Sequence, residues 1–153
     1  MPTSATGSRS ERGFSLAELM VVLAIVGLSA AVVLIAWPSD RGAVRSEAEQ
    51  LGAKLLAARD NALFTQNETA AIIEPSGYRF ETRRGADWTP ASVRALRPNL
   101  WDNDVAPLLT GGERQRLRFD ATGLTDAAEI VLTNGDARAS VIVDGAGGVR
   151  VED

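Results

Sequence analysis

The chain has no cysteine and no histidine among its 153 residues. That excludes disulfides, thiolate and imidazole metal ligands, and every Ser/His or Cys/His nucleophile pair. Without cross-links the fold rests on its core, and the lack of cysteine identifies no compartment, because an oxidising one permits disulfides without demanding them. Clustered positive charge is missing too. The 16 basic residues are spread along a chain of formal net charge -4, which leaves no electrostatic footprint for nucleic acid. No carboxylate pair can be placed as a catalytic dyad, so no catalytic residue, metal or cofactor is expected and the chain is read as a non-enzyme. What remains is ordinary: 45% apolar and 24% charged residues in a length suited to one folded domain.

Residues 14–37 carry a single charge, Glu18, and Leu19 to Trp37 carry none. A helix of that length crosses a hydrocarbon core of about 30 Å. Arg9 and Arg12 precede it, which puts the N-terminus in the cytoplasm. A secretory signal with a cleavage site at Ser29-Ala30-Ala31 is the alternative, but the apolar run continues beyond it through Val32, Val33, Leu34, Ile35 and Trp37, as a retained span would. Glu18 decides between a plain anchor and something more. A carboxylate within a span costs about 2.5 to 3.5 kcal/mol on insertion scales and usually has a function and a partner.

The stretch Gly13-Phe14-Ser15-Leu16-Ala17-Glu18, behind a basic leader and ahead of the apolar run, resembles the processing motif of type IV prepilins and type II secretion pseudopilins. Two departures are Ala17, where a bulky aliphatic residue is commoner, and arginine in place of lysine in the leader. The resemblance implies that a prepilin peptidase cuts between Gly13 and Phe14 and that the Phe14 amine is methylated. Cleavage creates an α-amine at the start of a helix whose dipole also favours a nearby carboxylate. Phe14 and Glu18 stand i, i+4 on one face. An intrachain pair is therefore open, while the resemblance implies pairing of Glu18 with the terminal amine of a neighbouring subunit.

Pro38 is expected to end or kink the spanning helix. Val44, Ala48, Leu51, Leu55, Ala58 and Ala62 then form the stripe of an amphipathic helix running to about Asn67, with Arg45, Glu49, Arg59 and Asp60 mainly on its other side. Beyond Asn67 the period shifts towards two. Tyr78, Phe80 and Thr82, then Leu117 and Phe119, Ile130 and Leu132, and Val141 and Val143 mark half-buried strands, with turns at Asn134-Gly135 and Asp144-Gly145 and a last strand near Val149 to Val151. Residues 85–113, with Pro90, Pro98, Pro107, Gly111-Gly112, Trp88 and Trp101, read as a long, partly ordered insertion and the candidate contact surface; alternatively the two tryptophans seal the sandwich. Asp102-Asn103-Asp104 lacks the Gly and distant Glu of a calcium loop and reads as solvated. Arg114, Arg116 and Arg118 read as one outward, solvated strand face.

Leu55-Leu56-Ala57-Ala58-Arg59-Asp60-Asn61-Ala62 and Leu117-Arg118-Phe119-Asp120-Ala121-Thr122-Gly123 resemble the helix end and a strand of the GspH/FimT family, which groups minor pseudopilins of type II secretion with minor pilins of type IV pili. The resemblance implies an α+β, pilin-like fold: a long N-terminal helix packed on an antiparallel β-domain of two sheets. The expected organisation is a cleaved leader, 1–13; a transmembrane helix, 14–37; a periplasmic continuation of that helix, 38–67; and a periplasmic β-rich domain, 68–153. The implied function is that of a structural subunit in the tip complex of a type II secretion pseudopilus; the alternative is a minor pilin of a type IV pilus, in DNA uptake or assembly priming. The implied partners are the other minor pseudopilins, the major pseudopilin, prepilin peptidase and the inner-membrane assembly platform, with secreted cargo and the outer-membrane secretin as further candidates, and no nucleic acid. The implied location is the inner membrane, single-pass.

Overall fold

Ser39 opens the larger helix by accepting the Gly42 N–H on its hydroxyl at 3.2 Å, satisfying one of the donors a helix start leaves free. The computed structural model describes residues 15–36, 39–109 and 112–153, without the side chains of 30–36, and divides into two units, Met1–Trp37 and Pro38–Asp153. In the first, helix α1 covers Leu16–Ala36. Its described apolar side chains, Leu16 to Leu28, are exposed all round, as expected of a helix with no polar face. Among the described residues no helix is long and apolar enough to cross a membrane; the described side chains of α1 stop at Ser29, and the expected span extends past them at both ends. The expected break at Pro38 lies outside the described residues.

In the second unit α2 spans Asp40–Thr65 and stops at Gln66 in the left-handed region, φ 54°, two residues short of the expected end. Every position of the expected stripe, from Val44 to Ala62, is fully buried. Among the described residues nine strands follow: β1 Thr69–Glu74, β2 Gly77–Arg84, β3 Asp87–Pro90, β4 Asn99–Leu100, β5 Ala106–Pro107, β6 Gln115–Phe119, β7 Ala128–Asn134, β8 Ala137–Val143 and β9 Val149–Glu152. They form two antiparallel sheets, one ordered β3-β2-β1-β6 with β4 also paired to β2, the other β5-β7-β8-β9. The α2 stripe packs against both, and the fold is the α+β, two-sheet arrangement expected. Asn61, buried on α2, donates to Thr69 of β1 at 3.0 Å and Thr82 of β2 at 3.4 Å, a polar pin between helix and first sheet.

Two expectations are corrected here. Strand β1 carries no period-two signal because residues 69–73 are buried on both faces: Ala71 and Ile73 join the main core, while Ala70 and Ile72 lie outside it. A central strand covered on both sides reads as a continuous apolar run. Residues 85–113 are also more ordered than an insertion. Where described, they supply β3, a 3-10 turn at Arg94–Leu96, β4 and β5, and so contribute an edge to each sheet.

Candidate functional site

Four regions carry the candidate residues. At the start of α1, the Glu18 N–H donates to the Ser15 hydroxyl at 3.2 Å and to the Ser15 carbonyl at 3.0 Å. Ser15 therefore caps the helix, and Ser15-Leu16-Ala17-Glu18 has the S-x-x-E spacing of a capping box. That spacing was a signal available in the sequence. It places the Glu18 carboxylate in the first turn, where the helix dipole favours an anion. Gly13 and Phe14 lie outside the described residues.

The second region is the segment 94–105 where it crosses α2 and β2. Leu96 and Val105 are buried, and the Trp101 indole donates to the Glu74 carbonyl at 2.9 Å, so this tryptophan seals the core against Tyr78, its ring centroid 4.9 Å away. Asp102-Asn103-Asp104 is a turn, with Asn103 and Asp104 at φ 55° and 58° and the Val105 N–H on the Asp102 carbonyl. Among the described residues no acidic cluster could hold a metal ion. Beneath the segment lies a residue the pattern did not single out: Glu47, on the core face of α2 and only 2% exposed. The charged groups that act on it are Lys54, whose ammonium donates to the Arg97 carbonyl at 3.0 Å and stands 5.1 Å from the centre of the Tyr78 ring, and Asp102. Burial first, then Asp102, push the Glu47 carboxyl above the ordinary carboxylate range, against the pull of Lys54. Burial likewise lowers the Lys54 ammonium and raises the Tyr78 phenol to about 12.

The third region comprises two five-residue loops of the same build near the end of α2. The Asp120 carboxylate accepts the N–H groups of Thr122 and Leu124 at 2.8 and 3.0 Å, and that of Asp144 accepts those of Ala146 and Gly148 at 2.9 and 2.8 Å. Gly123 and Gly147 sit at φ 78° and 76°, which glycine adopts without steric cost. Hydrogen bonds from the Thr122 hydroxyl and from the loop N–H groups hold the Asp120 carboxyl below its usual range. Arg59, expected on the outer side of α2, instead runs along both loops, its Nε buried without a partner. Phe64, one turn on, is 90% exposed.

The outward face of the first sheet holds Arg116 and Arg118, facing Ile72 and Ala70 across the ladder; Arg114 precedes the strand. The face is mixed in charge. Arg116 pairs with Glu81 at 3.3 Å, Arg83 with Glu68 at 3.0 Å, and Arg79 with Glu74, while Arg118 shares a pocket with Glu68, Asp120 and Asp126.

Residues 8–34 match the prokaryotic N-terminal methylation motif, and residues 47–147 match the family described as Type II transport protein GspH. The chain is 36% identical over 87 residues to Type II secretion system protein H of Klebsiella pneumoniae, an alignment covering 53% of this chain and spanning 50% of that relative's length. In fold it resembles the minor pseudopilin EpsH from the Type 2 secretion system of Vibrio cholerae, with a TM-score of 0.60, 13% identity, and 71% of this chain and 95% of that one covered. It also resembles the type IV minor pilin FimU of Pseudomonas aeruginosa, with a TM-score of 0.56, 18% identity, and 72% and 88% covered.

Proposed function

Since the chain belongs to the Type II transport protein GspH family, we propose that it is a minor pseudopilin, a structural subunit of the tip complex of a type II secretion pseudopilus. The observation that carries this reading is the order of the two matches, a methylation motif at 8–34 directly ahead of the family domain at 47–147. In this reading residues 1–13 are a leader removed by prepilin peptidase between Gly13 and Phe14, the Phe14 amine is methylated, and 14–37 anchors the chain in the inner membrane. Residues 38–153 stand in the periplasm.

Glu18 serves assembly. A carboxylate carried into lipid is neutralised by the terminal amine of a neighbouring subunit, so desolvation favours the assembled state over the isolated anchor. Ser15 caps the helix by accepting the Glu18 backbone N–H, which keeps that residue in the first turn. The other minor pseudopilins, the major pseudopilin and the assembly platform are its partners, with cargo and the secretin as further candidates. The protein performs no catalysis and binds no nucleic acid.

The likeness to FimU supports a second reading, a minor pilin of a type IV pilus, in the same fold. Deleting the gene in its host separates them. Secreted proteins retained in the periplasm while pili remain supports the pseudopilus, and loss of pili or DNA uptake with secretion intact overturns it.

A further inference from the structure

We propose that residues 94–105 form a strap over α2 and β2 whose closure is governed by the proton on Glu47: closed while the carboxyl is neutral, loosened when it ionises. This concerns the domain itself and stands whichever fibre the protein joins.

The strap is held at few points. Leu96 and Val105 enter the core, 1% and 4% exposed. The Asn99–Leu100 pair docks on Gly77 and Tyr78 of β2, so closely that a Cβ on Gly77 would come within 2.2 Å of the Asn99 carbonyl oxygen. The Trp101 indole and the Lys54 ammonium each bond one backbone carbonyl across the contact, at 2.9 and 3.0 Å.

Under this cover Glu47 has one oxygen at 3.4 Å from the Gln50 amide and the other buried with no partner. The groups facing it come from all three elements. On α2 they are Gln50 and Lys54, the latter engaged by the strap's own Arg97 carbonyl. On β2 there is Tyr78, whose buried hydroxyl stands near Asn99 without a hydrogen bond of good geometry. On the strap itself there is Asp102.

With its proton the Glu47 side chain is a neutral group in a largely apolar setting. Without it, an anion sits desolvated, short of acceptor satisfaction, and facing a second carboxylate on the very segment that covers it. Both penalties are relieved by one movement, the strap lifting to admit water and to carry Asp102 away. Lys54 opposes this only in part, since it is tied to the strap's backbone.

Hydrogen exchange of the full chain in detergent micelles, corrected for intrinsic rates, tests the coupling between pH 5 and pH 8. Protection of amides 96–105 is expected to stay below that of β7 and β8 throughout, the mark of local opening, and to fall about tenfold as pH rises across that range. The isosteric Glu47→Gln change should abolish the fall, and Asp102→Asn should reduce it. Three results each overturn the proposal: no pH dependence in the unmodified chain, an undiminished dependence in Glu47→Gln, or amides 96–105 as strongly protected as β7 and β8 and exchanging only together with them.

Discussion

The Arg116 guanidinium lies over the ring of Trp88, 4.3 Å from its centroid, although β6 and β3 are separated in the sheet by β1 and β2. To meet, both side chains must reach across the outward face, over Ala70 and Ile72, which explains why those residues are buried outside the main core. Trp88 thus seals the outer face of the first sheet as Trp101 seals the inner one. An arginine spent on an aromatic ring and on Glu81 is not free to track a phosphate backbone. Replacing Arg114, Arg116 and Arg118 together by alanine should therefore lower stability by about 1 kcal/mol, largely from lost stacking, and leave nucleic-acid binding where it began, at none. Removal of residues 1–13, with Arg9, Arg12 and Glu11, leaves 14 basic and 19 acidic residues, and a gel-shift titration at physiological salt should show no complex for either protein. Micromolar, salt-sensitive binding lost in the triple variant would instead favour the pilus reading.

Processing has a direct readout. Protein recovered from its intact host should begin at Phe14 and carry a methyl group on that amine, as N-terminal mass spectrometry would record. A start at Val32, after Ser29-Ala30-Ala31, is the outcome that ends the pseudopilin reading.

Ser15 and Glu18 separate capping from assembly. Ser15→Ala removes a helix cap, an effect of about 1 kcal/mol on the first turn, and should still co-isolate with the other minor subunits. Glu18→Ala and Glu18→Gln should insert and be cleaved normally yet drop out of that complex. Wild-type recovery of either in affinity capture would remove the assembly role from Glu18.

Glu47 shapes the pH profile of stability. A carboxyl raised in the folded state favours folding while it is protonated in both states and loses that advantage as pH rises through its folded value. Glu47→Gln should therefore stabilise by about 1 kcal/mol or more at pH 7.5, where it removes a buried, unsatisfied anion, and have little effect at pH 4. Thermal melts at the two pH values compare them; equal shifts at both would contradict the assignment.

Gly147 is a steric requirement. It holds φ 76°, and a Cβ there would lie 2.4 Å from the Gly123 carbonyl oxygen and 2.9 Å from the Arg59 side chain. Gly147→Ala should cost about 3 kcal/mol or more, combining backbone strain with overpacking. Gly145→Ala, in the same loop with only an ordinary contact at 3.7 Å, should stay within about 0.5 kcal/mol. Urea denaturation of the two variants provides the comparison.

Sequence alone determined whatever depends on neighbours along the chain. The α2 stripe from Val44 to Ala62, the alternating strands β2, β6, β7 and β8, the methylation motif and the turn after Asn134 are all written in spacings of one to seven residues. A period of two or 3.6 registers one buried face against one wet one. Tertiary structure decided every position with two covering layers or a distant partner. Strand β1 has no alternation because both its faces are covered. Glu47 sits in the dry stripe within reach of Asp102 from the segment 94–105, and Arg59 follows two loops that approach each other from Asp120 and Asp144. Trp88 and Arg116 meet across two intervening strands. Such contacts depend on which surfaces come together in space, and no local periodicity encodes that.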